Sequence, residues 1–99
     1  ATQAMKLEFH PEAEEEFLEA VSYYEVQMPG LGERFSAEVR AASALLLEYP
    51  EIGPFISQEL RKLVLDRFPY YLIYNISSET VYIVALAHER RKPGYWETR

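Results

Sequence analysis

Polar and apolar residues alternate along Lys6-Leu7-Glu8-Phe9-His10, the two-residue period of a strand with Leu7 and Phe9 facing inward. The period then changes. Phe17, Val21, Tyr24 and Met28 recur at steps of four, three and four, which is one face of a helix. Pro11 suits a first helical position, where its missing N–H costs nothing. The pattern therefore predicts a helix over residues 11–28. Pro29-Gly30-Leu31-Gly32 breaks it. A second helical stripe follows in Phe35, Val39, Ala42, Leu46 and Tyr49, ending near Pro50. Two helices joined by so tight a turn form an antiparallel hairpin.

Residues 50–59 carry two prolines and no period, and read as a loop. The two-residue period then returns, with strands predicted over Leu60–Leu65, Tyr70–Ile76 and Thr80–Ala87. Turns fall at Asp66-Arg67-Phe68-Pro69 and Ser77-Ser78-Glu79. In the last strand Val81, Ile83 and Ala85 are expected on one face and Tyr82, Val84 and Leu86 on the other. Its near-continuous apolarity suggests a central strand covered on both sides. The order β-α-α-β-β-β means an α+β fold, with the hairpin on one face of a small, twisted, mainly antiparallel sheet. The other face is then only partly covered.

Length fits this layout, since 99 residues make one domain and not two. We expect that domain over residues 5–99, with residues 1–4 a cloning remnant or frayed end. There is no cysteine, which excludes a disulfide scaffold, a thiolate metal site and a thiol nucleophile. The longest apolar run, Val81–Ala87, is far short of a membrane span, and no signal segment precedes Met5. A cytoplasmic protein is the expectation.

Net charge is −6, which argues against a general nucleic-acid coat. The total hides a split: residues 1–60 sum to −9 and residues 61–99 to +3. A basic working face is therefore compatible with an acidic total. The basic part contains Arg61, Lys62, Arg67, His88, Arg90, Arg91 and Lys92, which a strand meander can bring together. Arginine and lysine beside histidine and tyrosine suit phosphate oxygens and a metal-free phosphoryl transition state. His88 adds a proton-transfer group near neutral pH. The opposing reading makes these cations solvated partners of the acidic helices. Tyr70, Tyr71, Tyr74 and Tyr82 read as strand core, whereas Tyr95 and Trp96 follow Pro93-Gly94 in a charged tail. The glutamates of residues 12–19 read as a solvated face, placed at a helix start by the helix dipole. No histidine stands at ligand spacing beside them, so no metal site is expected.

Two stretches carry a resemblance. Arg67-Phe68-Pro69-Tyr70-Tyr71-Leu72-Ile73-Tyr74 is one, and Val81-Tyr82-Ile83-Val84-Ala85-Leu86-Ala87-His88-Glu89-Arg90-Arg91-Lys92-Pro93-Gly94-Tyr95-Trp96 is the other. Together they resemble the RelE/ParE toxin superfamily, also called the plasmid stabilisation family, from Met5 to Trp96. The resemblance implies a cytoplasmic toxin without cofactor, neutralised by a cognate antitoxin whose disordered segment folds on binding. It implies a homodimer or a toxin–antitoxin hetero-oligomer, and no membrane. RelE-like members cleave messenger RNA on the ribosome without metal. On that branch Arg61, Lys62, His88, Arg90 and Tyr95 would be the catalytic set. ParE-like members inhibit DNA gyrase and cleave no RNA. On either branch Arg67, Arg91, Lys92 and Trp96 are the expected partner- or target-binding residues. The acidic total and the long acidic hairpin favour the ParE-like branch, with the RNA endonuclease and a non-toxic, antitoxin-binding relative as alternatives.

Overall fold

His10 ends the first strand and starts the first helix in one step. Its backbone N–H donates to the Ile83 carbonyl at 2.8 Å, and its Nδ1 accepts from the Glu12 N–H at 3.0 Å. That second bond satisfies a helix-start donor that has no partner within the helix. The computed structural model describes residues 5–99. The expectation for residues 1–4 lies outside the described residues. The elements are β1 (Lys6–Phe9), α1 (Pro11–Gln27), α2 (Leu31–Glu48), β2 (Arg61–Val64), β3 (Tyr70–Ser77) and β4 (Thr80–His88). A single 3-10 turn, Tyr95–Thr98, forms in the tail.

The sheet runs β1-β4-β3-β2. β1 lies parallel to β4, while β4, β3 and β2 form the expected antiparallel meander. The α+β reading and the hairpin on one face hold. The turn between the helices is built by Gly30 and Glu25. Gly30 sits at φ 89°, a region that favours glycine, and the Glu25 carboxylate accepts from the N–H groups of Gly30 and Gly32 at 3.0–3.1 Å.

Met28 and Tyr49 were expected on the apolar helix faces, but both are exposed. Each is the C-cap of its helix, with φ −158° and −129°, so the helical spacing no longer aims its side chain. The core between hairpin and sheet is formed by Ala13, Ala20, Phe35, Val39 and Leu46 against Leu72, Tyr74, Val81, Ile83 and Leu86. Each large apolar side chain buried there contributes about 1.5–3 kcal/mol. Phe35 is the hub of an aromatic group, with the rings of Tyr24, Phe68 and Tyr70 each 5.1 Å away.

One expectation is corrected inside β4. Ile73 pairs with Ala85, but the next residue, Tyr74, pairs with Ile83. Val84 is therefore an extra residue, a β-bulge, and the alternation slips by one. Leu86 turns to the helices, while Val84, Ala85 and Ala87 share the second face with Tyr71 and Ile73. Trp96, 5% exposed, covers that face from the tail. No helix of the described residues is long and apolar enough to cross a membrane.

Candidate functional site

Strand register decides which face each basic residue takes. Arg61 pairs with Tyr74 and therefore points to the helix side of the sheet, while its neighbour Lys62 points to the second face. The Arg61 Nη1 donates to the Glu51 and Gly53 carbonyls, both at 2.9 Å, and its guanidinium lies 3.8 Å over the Phe55 ring. It fastens the 50–59 loop. The same loop is held from the core by Tyr74, whose hydroxyl donates to the Pro50 carbonyl at 2.8 Å and accepts from the Gly53 N–H at 2.9 Å. A Cβ on Gly53 would stand 2.6 Å from the Lys62 carbonyl oxygen, so the backbones can meet there only through glycine. Lys62 places its Nζ 4.3 Å over the Tyr71 ring.

His88 pairs with Tyr70, on the helix side like Arg61 but at the start of β3, four residues before the partner of Arg61. That offset alone is about 13 Å of strand. Its ring stands edge-on to Tyr70 at 5.0 Å, and its Nδ1 accepts from the Arg90 N–H at 3.0 Å. Arg90 and Lys92 are exposed, as is Arg67, whose backbone N–H donates to Glu38 at 2.8 Å. The five residues of the nuclease set thus lie on both faces and at two ends of the sheet. The structure does not bring them together around one phosphate.

What it does bring together is a different set, centred on Glu16. Beyond Ile83 the outer edge of β4 has no strand beside it, because the chain turns from β1 into α1. Glu16 and Arg99 take the strand's place. The Leu86 N–H donates to Glu16 Oε1 at 3.1 Å, and Arg99 Nη1 donates to the Val84 carbonyl at 3.0 Å. The bulge's backbone groups are satisfied by side chains. The Glu16 carboxylate also accepts from Arg91 Nη1 at 2.9 Å, from the Tyr95 hydroxyl at 2.6 Å and from both terminal nitrogens of Arg99. Arg99 Nε stands 2.9 Å from a Glu12 oxygen, near enough for ion pairing though off the line of a hydrogen bond. Arg91 stacks on the Tyr95 ring at 3.5 Å.

Burial alone would raise the Glu16 pKa. The hydrogen bonds from Arg99, Tyr95 and Leu86, with the Arg99 charge, outweigh it and hold the carboxyl below its ordinary 4.5. Burial, then the bond to Glu16, drives the Tyr95 phenol far upward, so it is a donor at any physiological pH. Arg99 is raised, chiefly by its bond to Glu16. Tyr70 is raised by burial first, and then by Tyr24, Tyr23, Glu16 and Glu19 nearby.

Sequence reasoning placed Glu16 on a solvated face. Its side chain is 11% exposed. A signal was present: Glu16 lies three residues after Ala13 and four before Ala20, both buried, and so on the core stripe. Trp96, expected to meet a partner, is buried against the sheet, while Arg91, expected to do the same, bonds to Glu16 with its side chain 51% exposed. Arg67 and Lys92 remain on the surface. Among the described residues no group of His, Asp and Glu side chains is placed to hold a metal ion.

Comparison with known proteins fixes the family. The sequence model for the ParE toxin of type II toxin–antitoxin systems (parDE) matches residues 7–93. The chain belongs to the ParE toxin family. That family is the toxin half of a type II system, so the ParE-like branch of the sequence reading stands. The matched span ends at Pro93, before Tyr95 and Arg99. Among solved structures, the chain is similar to the chromosomal ParDE toxin–antitoxin system from P. aeruginosa. The TM-score is 0.76 at 16% identity, covering 88% of this chain and 98% of that one. It is also similar to E. coli toxin RelE, an arginine-to-alanine double mutant in the free state. There the TM-score is 0.66 at 16% identity, covering 97% of this chain and 93% of that one. At such identity both likenesses show the fold alone. No curated protein matches the chain in sequence.

Proposed function

We propose that this ParE-family toxin arrests growth by binding DNA gyrase, and that a cognate antitoxin neutralises it. The observation that carries the first part is the dispersal of Arg61, Lys62, His88, Arg90 and Tyr95. A metal-free RNA cleavage site needs a base, an acid and phosphate clamps within reach of one phosphodiester. Here Arg61 is committed to two loop carbonyls, Tyr95 donates to Glu16, and Lys62 lies on the opposite face from His88. A toxin without an assembled site acts by occupying a surface. Arg67, Arg90 and Lys92, all exposed, are cations free to meet a target.

A protein partner also suits the edge of the sheet. β2 is an outer strand whose first half is bridged by the preceding loop, the Lys62 N–H donating to the Pro54 carbonyl at 3.0 Å, while its far end is open, with Val64 54% exposed. A hollow of about 750 Å³ beside it is lined by Ala41, Leu45, Leu63 and Phe68. An extended antitoxin segment can add to such an edge and seat apolar side chains in the hollow. Residues 5–99 act in this reading as one domain. The experiment is induction of the chain with and without the small protein encoded beside it, following label uptake into DNA and into protein. Gyrase inhibition stops DNA synthesis first, while translation continues. An early stop in translation with newly cleaved messages would point to the ribonuclease reading.

A further inference from the structure

One short segment closes two openings in the sheet. Trp96 seals the second face, resting on Tyr71 beside Ile73, Val84, Ala85 and Ala87. Arg99 closes the bulged edge of β4 through the Val84 carbonyl. The fastening of this segment is concentrated on α1. Tyr95 and Arg99 both end on the Glu16 carboxylate, Arg91 joins from the preceding turn, and Glu12 stands beside Arg99. The segment's own backbone bonds are local: Glu97 N–H to the Gly94 carbonyl and Arg99 N–H to the Trp96 carbonyl. The chain enters it through Pro93 and Gly94, the latter at φ 90°. It is thus a self-contained turn beyond a pivot, held by the Trp96 indole on the sheet and by Glu16, Glu12 and the Val84 carbonyl at the β4 edge.

We propose that residues 95–99 are a strap, latched across the second sheet face by Glu16, which opens as a unit while the hairpin and sheet stay folded. While the Glu16–Leu86 bond lies between hairpin and sheet and stays made, opening frees the Val84 carbonyl from Arg99. It also bares the apolar strip under Trp96. The apolar strip is offered by the open state alone. The proposal goes beyond the gyrase reading and rests on contacts within the chain, so failure of either leaves the other standing.

Hydrogen exchange on the whole chain tests the strap. The Leu72 and Tyr74 amides of β3 stay protected when residues 95–99 open, and exchange reads that directly. In Glu16→Gln, Leu72 and Tyr74 should keep wild-type protection even though the strap is unlatched. If Leu72 and Tyr74 lose protection together with the shielding of Trp96, there is no separate strap. Trp96 is the one tryptophan of the chain and gives a second readout. In Glu16→Gln, quenching of its fluorescence by acrylamide should rise about threefold or more with the far-ultraviolet circular dichroism retained. Arg99→Met, which leaves the Glu16–Leu86 bond intact, should act in the same direction. Wild-type quenching in both folded variants overturns the latch. Loss of all secondary structure in Glu16→Gln overturns opening as a unit.

Discussion

Glu16 and Leu86 stand 70 residues apart in the chain and meet through one hydrogen bond, from the Leu86 N–H to Glu16 Oε1 at 3.1 Å. This contact ties the first helix to the bulged stretch of the central strand. It makes Glu16 unlike the neighbouring glutamates. Glu16→Ala should lower stability by about 2–4 kcal/mol, because it strands the largely buried Arg99 and frees the Leu86 N–H. Glu15→Ala, on the exposed side of the same turn, should stay within about 0.5 kcal/mol. Denaturant melts of the two variants check the contrast.

The same contact sets a pH dependence. The folded carboxyl of Glu16 lies below its ordinary 4.5, so folding favours its charged form. Its contribution is complete above 4.5 and is lost as pH falls through the lower folded value. Glu12, Glu19, Tyr70, His88, Arg91, Tyr95 and Arg99 surround it. The melting temperature of wild type should therefore fall more steeply below pH 4.5 than that of Glu16→Gln. Parallel curves would remove Glu16 from the account.

Tyr74→Phe should cost about 1–3 kcal/mol, since it leaves the Gly53 N–H and the Pro50 carbonyl without their partner. Faster amide exchange should be confined at first to residues 50–53. The check is exchange compared with wild type at equal denaturant.

Arg61→Ala separates the two readings of the basic residues. As a loop fastener Arg61 holds the Glu51 and Gly53 carbonyls, and its loss should cost about 1–2 kcal/mol. As a catalytic residue it would be lost without effect on the melt. Lys92→Ala should leave stability within about 0.5 kcal/mol and yet weaken growth inhibition if this surface meets the target.

Much of the fold was legible because it is written in period. The hairpin follows from the stripes of Phe17 to Tyr24 and Phe35 to Leu46, and the meander from the return to alternation at residue 60. The bulge at Val84 was not legible. Every residue from Val81 to Ala87 is apolar except for the Tyr82 hydroxyl, so a slip of one leaves no mark in the pattern. That slip turns Leu86 and His88 to the helix side and so helps to separate His88 from Lys62. The exposure of Met28 and Tyr49 was hidden for another reason: period alone does not show where a helix stops and its cap begins. Glu16 was missed because a charge at a helix start has a sufficient explanation in the dipole. Its burial depends on Arg99, far along the chain.

The central claim is that this toxin works by binding and not by cutting. The most direct measurement is supercoiling by purified DNA gyrase in the presence of the purified chain. The account predicts inhibition that rises and saturates with dose, and that is relieved by the cognate antitoxin. Unimpaired supercoiling at large toxin excess, together with new cleaved ends in translated messages during expression, would contradict it.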